Sequence, residues 1–243
     1  ELLPKIMEGT LQLACAYAEA GSRYNLASTK TSAELKGDSV TLNGSKIAVL
    51  NGSNAQKILV VARESGAETA REGVSVFIVD TEAAGVSIRA YTNVDGKKAA
   101  EISLQDVTVA ASARLGAAGA ALTALEAVID RATVCASAEA VGAMESLLQK
   151  TVEYSKIRKQ FGTAIGTFQA LQHRMADMFI ECQLARSIVI RAAMKLDSAE
   201  EAVEKAKAVS AAKSRVGKAI RKVGQEAIQI HGGIGMTEEL DVG

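Results

Sequence analysis

Tryptophan is absent from these 243 residues, proline occurs once and histidine twice. With Pro4 the only proline, nothing later in the chain forces a helix to break. The histidines, His173 and His231, lie far apart and no cysteine cluster accompanies them, which argues against a structural zinc site and leaves no metal-ligating set. The cysteines, Cys15, Cys135 and Cys182, are odd in number, sit among apolar neighbours and lack C-x-x-C spacing. That pattern implies buried thiols in a reducing, cytoplasmic setting rather than a disulfide framework. Lys plus Arg equals Asp plus Glu at 28 each, so no net field draws the chain to nucleic acid or an anionic membrane, and any anion site must be local. No apolar run reaches the roughly 18 residues that a membrane span requires. Glu1 opens the chain without initiator methionine, signal peptide or transit sequence, and MTEELDVG stops in a polar segment, so both ends are expected to be cuts.

What is present changes character near residue 115. Up to there, short β-rich runs alternate with turn signals: TLQLACAY, SVTLNGSKIAVLNG, KILVVAR, GVSVFIVD, GVSIRAYTN and AAEISLQDVTV. Asn43-Gly44 and Asn51-Gly52 stand out as turn dipeptides because both residue types tolerate positive φ. From Gly119 the apolar positions take helical spacing, as in Val141, Met144, Leu147 and Leu148. Helices are predicted over 119–156, 167–196 and 200–229, with Ser198 resembling an N-cap and Ala117–Ala121 an alanine-rich hinge. The expected class is α+β with two domains: an antiparallel, barrel-like β-domain over 1–115 and an antiparallel helical bundle over 116–243.

Two stretches carry chemistry. Tyr154 to Met178 (YSKIRKQFGTAIGTFQALQHRMADM) joins two helical segments through a loop holding Gly162 and Gly166, and Arg158, Lys159 and Gln160 line its approach. Fixed positive charge where a helix stops suits an anion: an arginine can grip phosphate through two bonds, a phenylalanine can wall a ring, and an amide can meet a polar edge. Taken singly, each residue has a plainer account, a dipole-complementing cation at a helix end or a core aromatic. Gln229 to Gly235 (QIHGGIG) places paired glycines after a helix, where backbone can approach a ligand closely, although a simple C-cap explains them equally well alone.

Together, and in this order, the two stretches resemble the acyl-CoA dehydrogenase family. YSKIRKQFGTAIGTFQALQHRMADM is similar to its Y-x-x-x-R-x-x-F-G…F-Q-x-x-x-x-x-x-A-D-M segment, and QIHGGIGMTEE to its Q-x-H-G-G-x-G segment. VTLNGSKIAVLNG resembles the family's x-L-N-G-x-K-x-x-I-x-N-G hairpin, and GVSVFIVD and GVSIRAY the strands that follow. The resemblance covers almost the whole chain and implies that the family's N-terminal helical domain and last helices lie outside it. It also implies FAD, held between the β-domain and the bundle with help from a neighbouring subunit. By position, Arg158 would meet the pyrophosphate, Phe161 and Gln169 the adenosine half, and Gln229 with Gly233 the same end. Ala16, Tyr17 and Ala18 would run beside the isoalloxazine. Asp130 would reach the CoA arm of the substrate, its plainer alternative being a solvated helix carboxylate paired with a nearby base. The implied reaction is α,β-desaturation of an acyl-CoA in fatty acid or dicarboxylate catabolism, with electrons passed to an electron-transfer flavoprotein. A homo- or hetero-oligomer, a tetramer built as a dimer of dimers, goes with it. Within the family, AYAEAGSRYN and HGGIGMTEEL look most like the small subunit of pimeloyl-CoA dehydrogenase.

Departures from the family pattern define the alternatives. Ala18-Glu19-Ala20 stands where T-E-P is usual, Arg23-Tyr24-Asn25 where G-S-D is usual, and Ala48-Val49-Leu50 where W-I-T is usual. Two hydroxyls and an indole that would border the flavin are therefore missing, and backbone amides would have to hold the ring. The usual adenine-side arginine falls on Thr133, whereas Arg131 lies two residues earlier, about 200° around the helix. No catalytic base is assigned in the chain: one family position for it is Ala132, which cannot act. A half-site subunit with an idle pocket, or an oxygen-using flavoenzyme of the same fold, remain the other readings of these residues.

Overall fold

A computed structural model describes residues 2–243, which form two compact units divided between Glu126 and Ala127. The first opens with α1 (Leu2–Met7) and contains β1 (Leu13–Ala16), β2 (Ser32–Lys36), β3 (Ser39–Leu50), β4 (Lys57–Arg63), β5 (Val74–Asp80), β6 (Val86–Thr92) and β7 (Lys98–Ala110). They make one seven-stranded sheet in the order β1-β4-β2-β3-β7-β6, with β5 paired to β4. Alternating inward positions such as Val40, Leu42, Ile58, Val60, Phe77, Ile102 and Leu104 build its core.

The sheet is mixed where an antiparallel one was expected. β1 and β2 both pair parallel with β4, while β2–β3, β3–β7, β4–β5 and β6–β7 are antiparallel. Parallel pairing needs a long crossover, and the residues between β1 and β4, carrying β2 and β3 themselves, supply it. Asn43-Gly44 makes no turn either: β3 runs through it with a register shift against β7. Gly44 is instead a point of close approach, since a Cβ there would sit 2.5 Å from Thr31 Oγ1. The Asn43 amide donates to Asp106 Oδ1 at 3.0 Å and accepts from the Asp106 N–H at 2.8 Å, holding the bulged strands together. Asn51-Gly52 does lie in a turn, with Asn51 at φ 59°.

Two cations inside the apolar unit decide how its loops run. Lys46, wholly buried on β3, donates to Glu19 Oε1 at 2.5 Å. That carboxylate also accepts from Thr31 Oγ1 at 2.7 Å, Thr31 N at 3.1 Å and Lys30 N at 2.7 Å. The segment after β1 is thereby tied to β3, and the Ile47 N–H completes the tie by donating to the Ala18 carbonyl at 2.9 Å. Arg63, buried at the end of β4, gives every N–H to backbone: Thr29, Ser65, Glu72, Ala27, Glu68 and Ala70 carbonyls all accept from it. Two loops, 27–29 and 65–72, are therefore organised around one guanidinium.

The second unit holds most of α2 (Leu122–Ile157), a short hairpin of β8 (Lys159–Gln160) and β9 (Thr163–Ala164), α3 (Gln169–Asp197) and α4 (Ala202–His231). α3 and α4 pack antiparallel through small residues, Cys182, Ala185 and Ala192 against Ala212, Ala219 and Ala227, which lets the axes approach. Arg174–Glu226 and Glu181–Arg215 bridge these two helices, and Arg186–Glu145 ties α3 to α2. Ser198 does not cap α4. Its hydroxyl donates to the Lys195 carbonyl and closes α3, while α4 starts after Glu201 without a side-chain cap. Among the described residues no helix is long and apolar enough to cross a membrane.

Burial alone would raise the Glu19 carboxyl, but the Lys46 charge and the hydrogen bonds from Lys46, Thr31 and Lys30 outweigh it and hold the group below the usual carboxylate range. A carboxyl lowered on folding stabilises fully above its unfolded value of about 4.3 and loses that contribution as pH falls through the lower folded value. Urea unfolding between pH 6 and 3 will show stability dropping at the acid end, with a shallower drop in Glu19→Gln. Lys46→Met alone leaves the carboxylate buried and unpaired and should cost about 3–5 kcal/mol, most of it recovered in the Glu19→Gln/Lys46→Met double variant. Arg63→Lys cannot reach six carbonyls and should cost about 2–4 kcal/mol, with faster proteolysis confined to residues 64–73.

Candidate functional site

The end of α2 sets the geometry of the first predicted stretch. The Arg158 N–H still donates to the Tyr154 carbonyl, after which the chain leaves the helix and turns at Phe161 (φ 55°) and Gly162 (φ 83°). Two successive positive φ values close a tight hairpin whose register pairs Lys159 with Ala164 and Gln160 with Thr163. Glycine accepts this conformation freely; a phenylalanine at positive φ is unusual, and its ring stands 92% exposed. The Phe168 ring meets it in a T-shaped arrangement, 6.2 Å between centroids. The loop then folds back on α2: the Ile165 N–H donates to the Arg158 carbonyl at 2.8 Å. A Cβ on Gly166 would lie 2.8 Å from Ser155 Oγ and 3.0 Å from Ser155 O, so glycine is what allows this contact.

The second stretch caps α4. His231 ends the helix and Gly232, at φ 67°, returns its N–H to the Gln229 and Ile228 carbonyls. His231 Nδ1 lies 2.8 Å from the Ala227 carbonyl, which can only accept, so Nδ1 donates to it. The imidazole lies against Tyr154, 4.4 Å between centroids, and the Tyr154 hydroxyl donates to the His231 carbonyl at 3.4 Å.

That contact brings the two stretches together. Arg158 is one turn beyond Tyr154, and Gly232 and Gly233 follow His231 directly. Phe161, Gln169 and Gln229 are all exposed, Gln169 at the first position of α3 and Gln229 on the last turn of α4. Cβ atoms placed on Gly232 or Gly233 would meet nothing within 4 Å, so neighbouring packing does not demand these glycines and their backbone is open to an approaching group. Asp130 does not join this cluster: it is half-buried on α2, 24 residues before Tyr154, about 36 Å at 1.5 Å per residue.

In the first unit, Ala16 is fully buried and its methyl belongs to the sheet core, so of the Ala16–Ala18 segment Tyr17 is the exposed side chain and Ala18 is half-buried. Ala48 is exposed at φ 50°, on the β3 bulge beside the Lys46 anchor. Burial pushes the Cys15 thiol up, with the Lys46 charge working against it. Cys182 is buried as expected; Cys135 faces outward on α2, because its position falls on the helix face opposite the packed row. Lys46 and Arg63 were not singled out from sequence. A lone cation inside a β-branched run, SKIAVL or KILVVAR, was the available signal.

Residues 14–107 match the family described as acyl-CoA dehydrogenase, middle domain, and residues 119–243 match acyl-CoA dehydrogenase, C-terminal domain. Probable acyl-CoA dehydrogenase YngJ of Bacillus subtilis is 32% identical over 243 residues, covering 99% of this chain and 63% of the relative. The caffeyl-CoA reductase-Etf complex subunit CarC of Acetobacterium woodii is 29% identical with the same coverages, 99% and 63%. The structure of butyryl-CoA dehydrogenase from Megasphaera elsdenii superposes with a TM-score of 0.90 at 30% identity, over 99% of this chain and 63% of that one. The chain thus spans a little under two thirds of the length of these relatives. It belongs to the acyl-CoA dehydrogenase family and comprises that family's middle domain and C-terminal helical domain.

Proposed function

We propose that this chain forms the middle and helical parts of an FAD-dependent acyl-CoA dehydrogenase that introduces an α,β double bond into an acyl-CoA thioester. The observation that carries it is the Tyr154–His231 contact, which sets a cation with no ion pair among the described residues, Arg158, beside an open diglycine turn. This donor set fits a dinucleotide: a guanidinium for the pyrophosphate, open backbone for close approach, an exposed ring at Phe161, and amides at Gln169 and Gln229 for the polar edges of adenosine.

Bound FAD would supply the hydride acceptor for the substrate β-hydrogen. The chain's own residues bind and orient. Arg158 holds the pyrophosphate, Phe161 and Gln169 bracket the adenosine half, and Gln229 and Gly233 close the same end, on the FAD of an adjoining subunit. Tyr17 and Ala18 present backbone to the flavin ring, their course set by the Glu19–Lys46 pair. Asp130 orients the CoA arm. The α-proton needs a carboxylate raised towards neutrality by burial, and no residue of this chain is assigned that role. An electron-transfer flavoprotein is the electron acceptor, supported by the Etf-complex membership in CarC's name, in a cytoplasmic oligomer. A half-site role is the second reading, favoured by Ala18, Ala48 and Leu50, which offer the ring neither hydroxyl nor indole.

Titrating the purified chain with FAD and following flavin fluorescence tests both. Arg158→Ala should weaken binding about 10- to 100-fold, the loss of a charge-assisted pair of bonds. An unchanged dissociation constant in that variant, or no binding by the wild type, would sink the proposal. Flavin at one per chain would leave no room for an idle pocket.

A further inference from the structure

Near the turn that joins α3 to α4, the groove between the two helices holds a cleft of about 320 Å³. Ile188, Arg191 and Lys195 line it from α3 at steps of three and four, which sets them on one face of that helix. Because α4 runs back along α3, Ala208 and Ala211 lie towards Ile188, while Glu204 lies towards Lys195. The cleft is therefore apolar at one end and charged at the other.

The charged end is built and already neutral. Glu200 is held by Lys195, and Glu204 by Lys207. The turn itself is fixed by Lys205 Nζ, which donates to the Leu196 carbonyl at 3.1 Å, and by the Ser198 hydroxyl, which donates to Lys195 and accepts from the Glu200 N–H. Arg191, between the two ends, differs from its neighbours. It is exposed, and it makes no ion pair or side-chain hydrogen bond among the described residues. One uncompensated cation thus borders a small apolar recess, and the recess exists because Ala208 and Ala211 carry only methyl groups.

We infer that this cleft is a binding site for a short aliphatic monocarboxylate, with the carboxylate on Arg191 and the hydrocarbon chain on Ile188, Ala208 and Ala211. A guanidinium takes a carboxylate through two parallel bonds, and a single free cation calls for a single negative charge. A polyanion would meet the Glu200 and Glu204 carboxylates, and a bare inorganic anion would leave the apolar end unfilled. The volume falls at the low end of ligand pockets, roughly 300–1,000 Å³, which suits a short chain and is too small for a dinucleotide or an intact acyl-CoA. None of the lining residues belongs to the set assigned to flavin, so the site stands or falls independently of that reading.

Isothermal titration calorimetry of the purified chain with octanoate should give a dissociation constant of about 10 µM to 1 mM, the range open to a ligand of this size. Octanol lacks the charge, octylammonium reverses it and inorganic phosphate lacks the chain; each should bind at least roughly ten-fold more weakly. Arg191→Gln should weaken octanoate binding roughly ten-fold or more with helical circular dichroism unchanged. Ala208→Leu, which fills the recess without altering its charge, should do the same. Saturating octanoate should also raise the thermal midpoint of the wild type but not that of Arg191→Gln. No binding of octanoate up to about 10 mM, octanol or phosphate binding as tightly as octanoate, or an unchanged dissociation constant in either variant would each overturn the inference.

Discussion

A fully buried ammonium is the constraint on which the first unit depends. Lys46 sits within a largely apolar sheet core, and a charge in that position persists only where a counter-charge is delivered to it. Glu19 is delivered by the segment following β1, so that segment has one course available: across β3, with its carboxylate also satisfying the backbone of Lys30 and Thr31. The start of β2 and the Tyr17–Ala18 segment are thus positioned by one ion pair. Arg63 does comparable work without a carboxylate. Its fixed fork of donors collects carbonyls from two loops that have little apolar surface of their own, and the loops gain order from the cation rather than from a core.

The helical unit is held differently. No proline interrupts its helices, and alanine and valine at the α3–α4 seam let them approach closely. Glu145, Glu181 and Glu226 then brace neighbouring helices as partly sheltered ion pairs. At one end of this rigid frame the Tyr154–His231 contact brings together loop residues that the chain separates by more than seventy positions. Placing an exposed cation and open backbone on the ends of stiff elements fixes their spacing without burying either. That is the condition for gripping an anionic ligand from outside the bundle.

Much of this was legible. The change from period-two to helical patterning near residue 115 falls between β7 and α2, and the three helices begin and end within a few residues of the predicted 119–156, 167–196 and 200–229. The Gly162 turn and the His231 cap were visible as local signals because positive φ at glycine is a local property. Misplaced features shared one cause, a local rule displaced by a distant neighbour. Asn43-Gly44 has turn chemistry, but Thr31 and Asp106 recruit it into a continuous strand. Ser198 has capping chemistry, but its hydroxyl donates to the Lys195 carbonyl and accepts from the Glu200 N–H, ahead of α4. β2, SAELK, has too polar a composition to read as a strand and exists because β3 offers it a register.

The sequence by itself determined the class of each segment, the absence of proline breaks after Pro4 and the two motif stretches, since periodicity and glycine placement act over a few residues. Tertiary structure alone decided that β1 and β2 run parallel to β4, that Lys46 finds Glu19, that Arg63 finds six carbonyls, and that Tyr154 meets His231. Each of those outcomes joins residues remote in the chain. Which remote groups meet depends on where all the intervening backbone must go, and no short window of sequence contains that information.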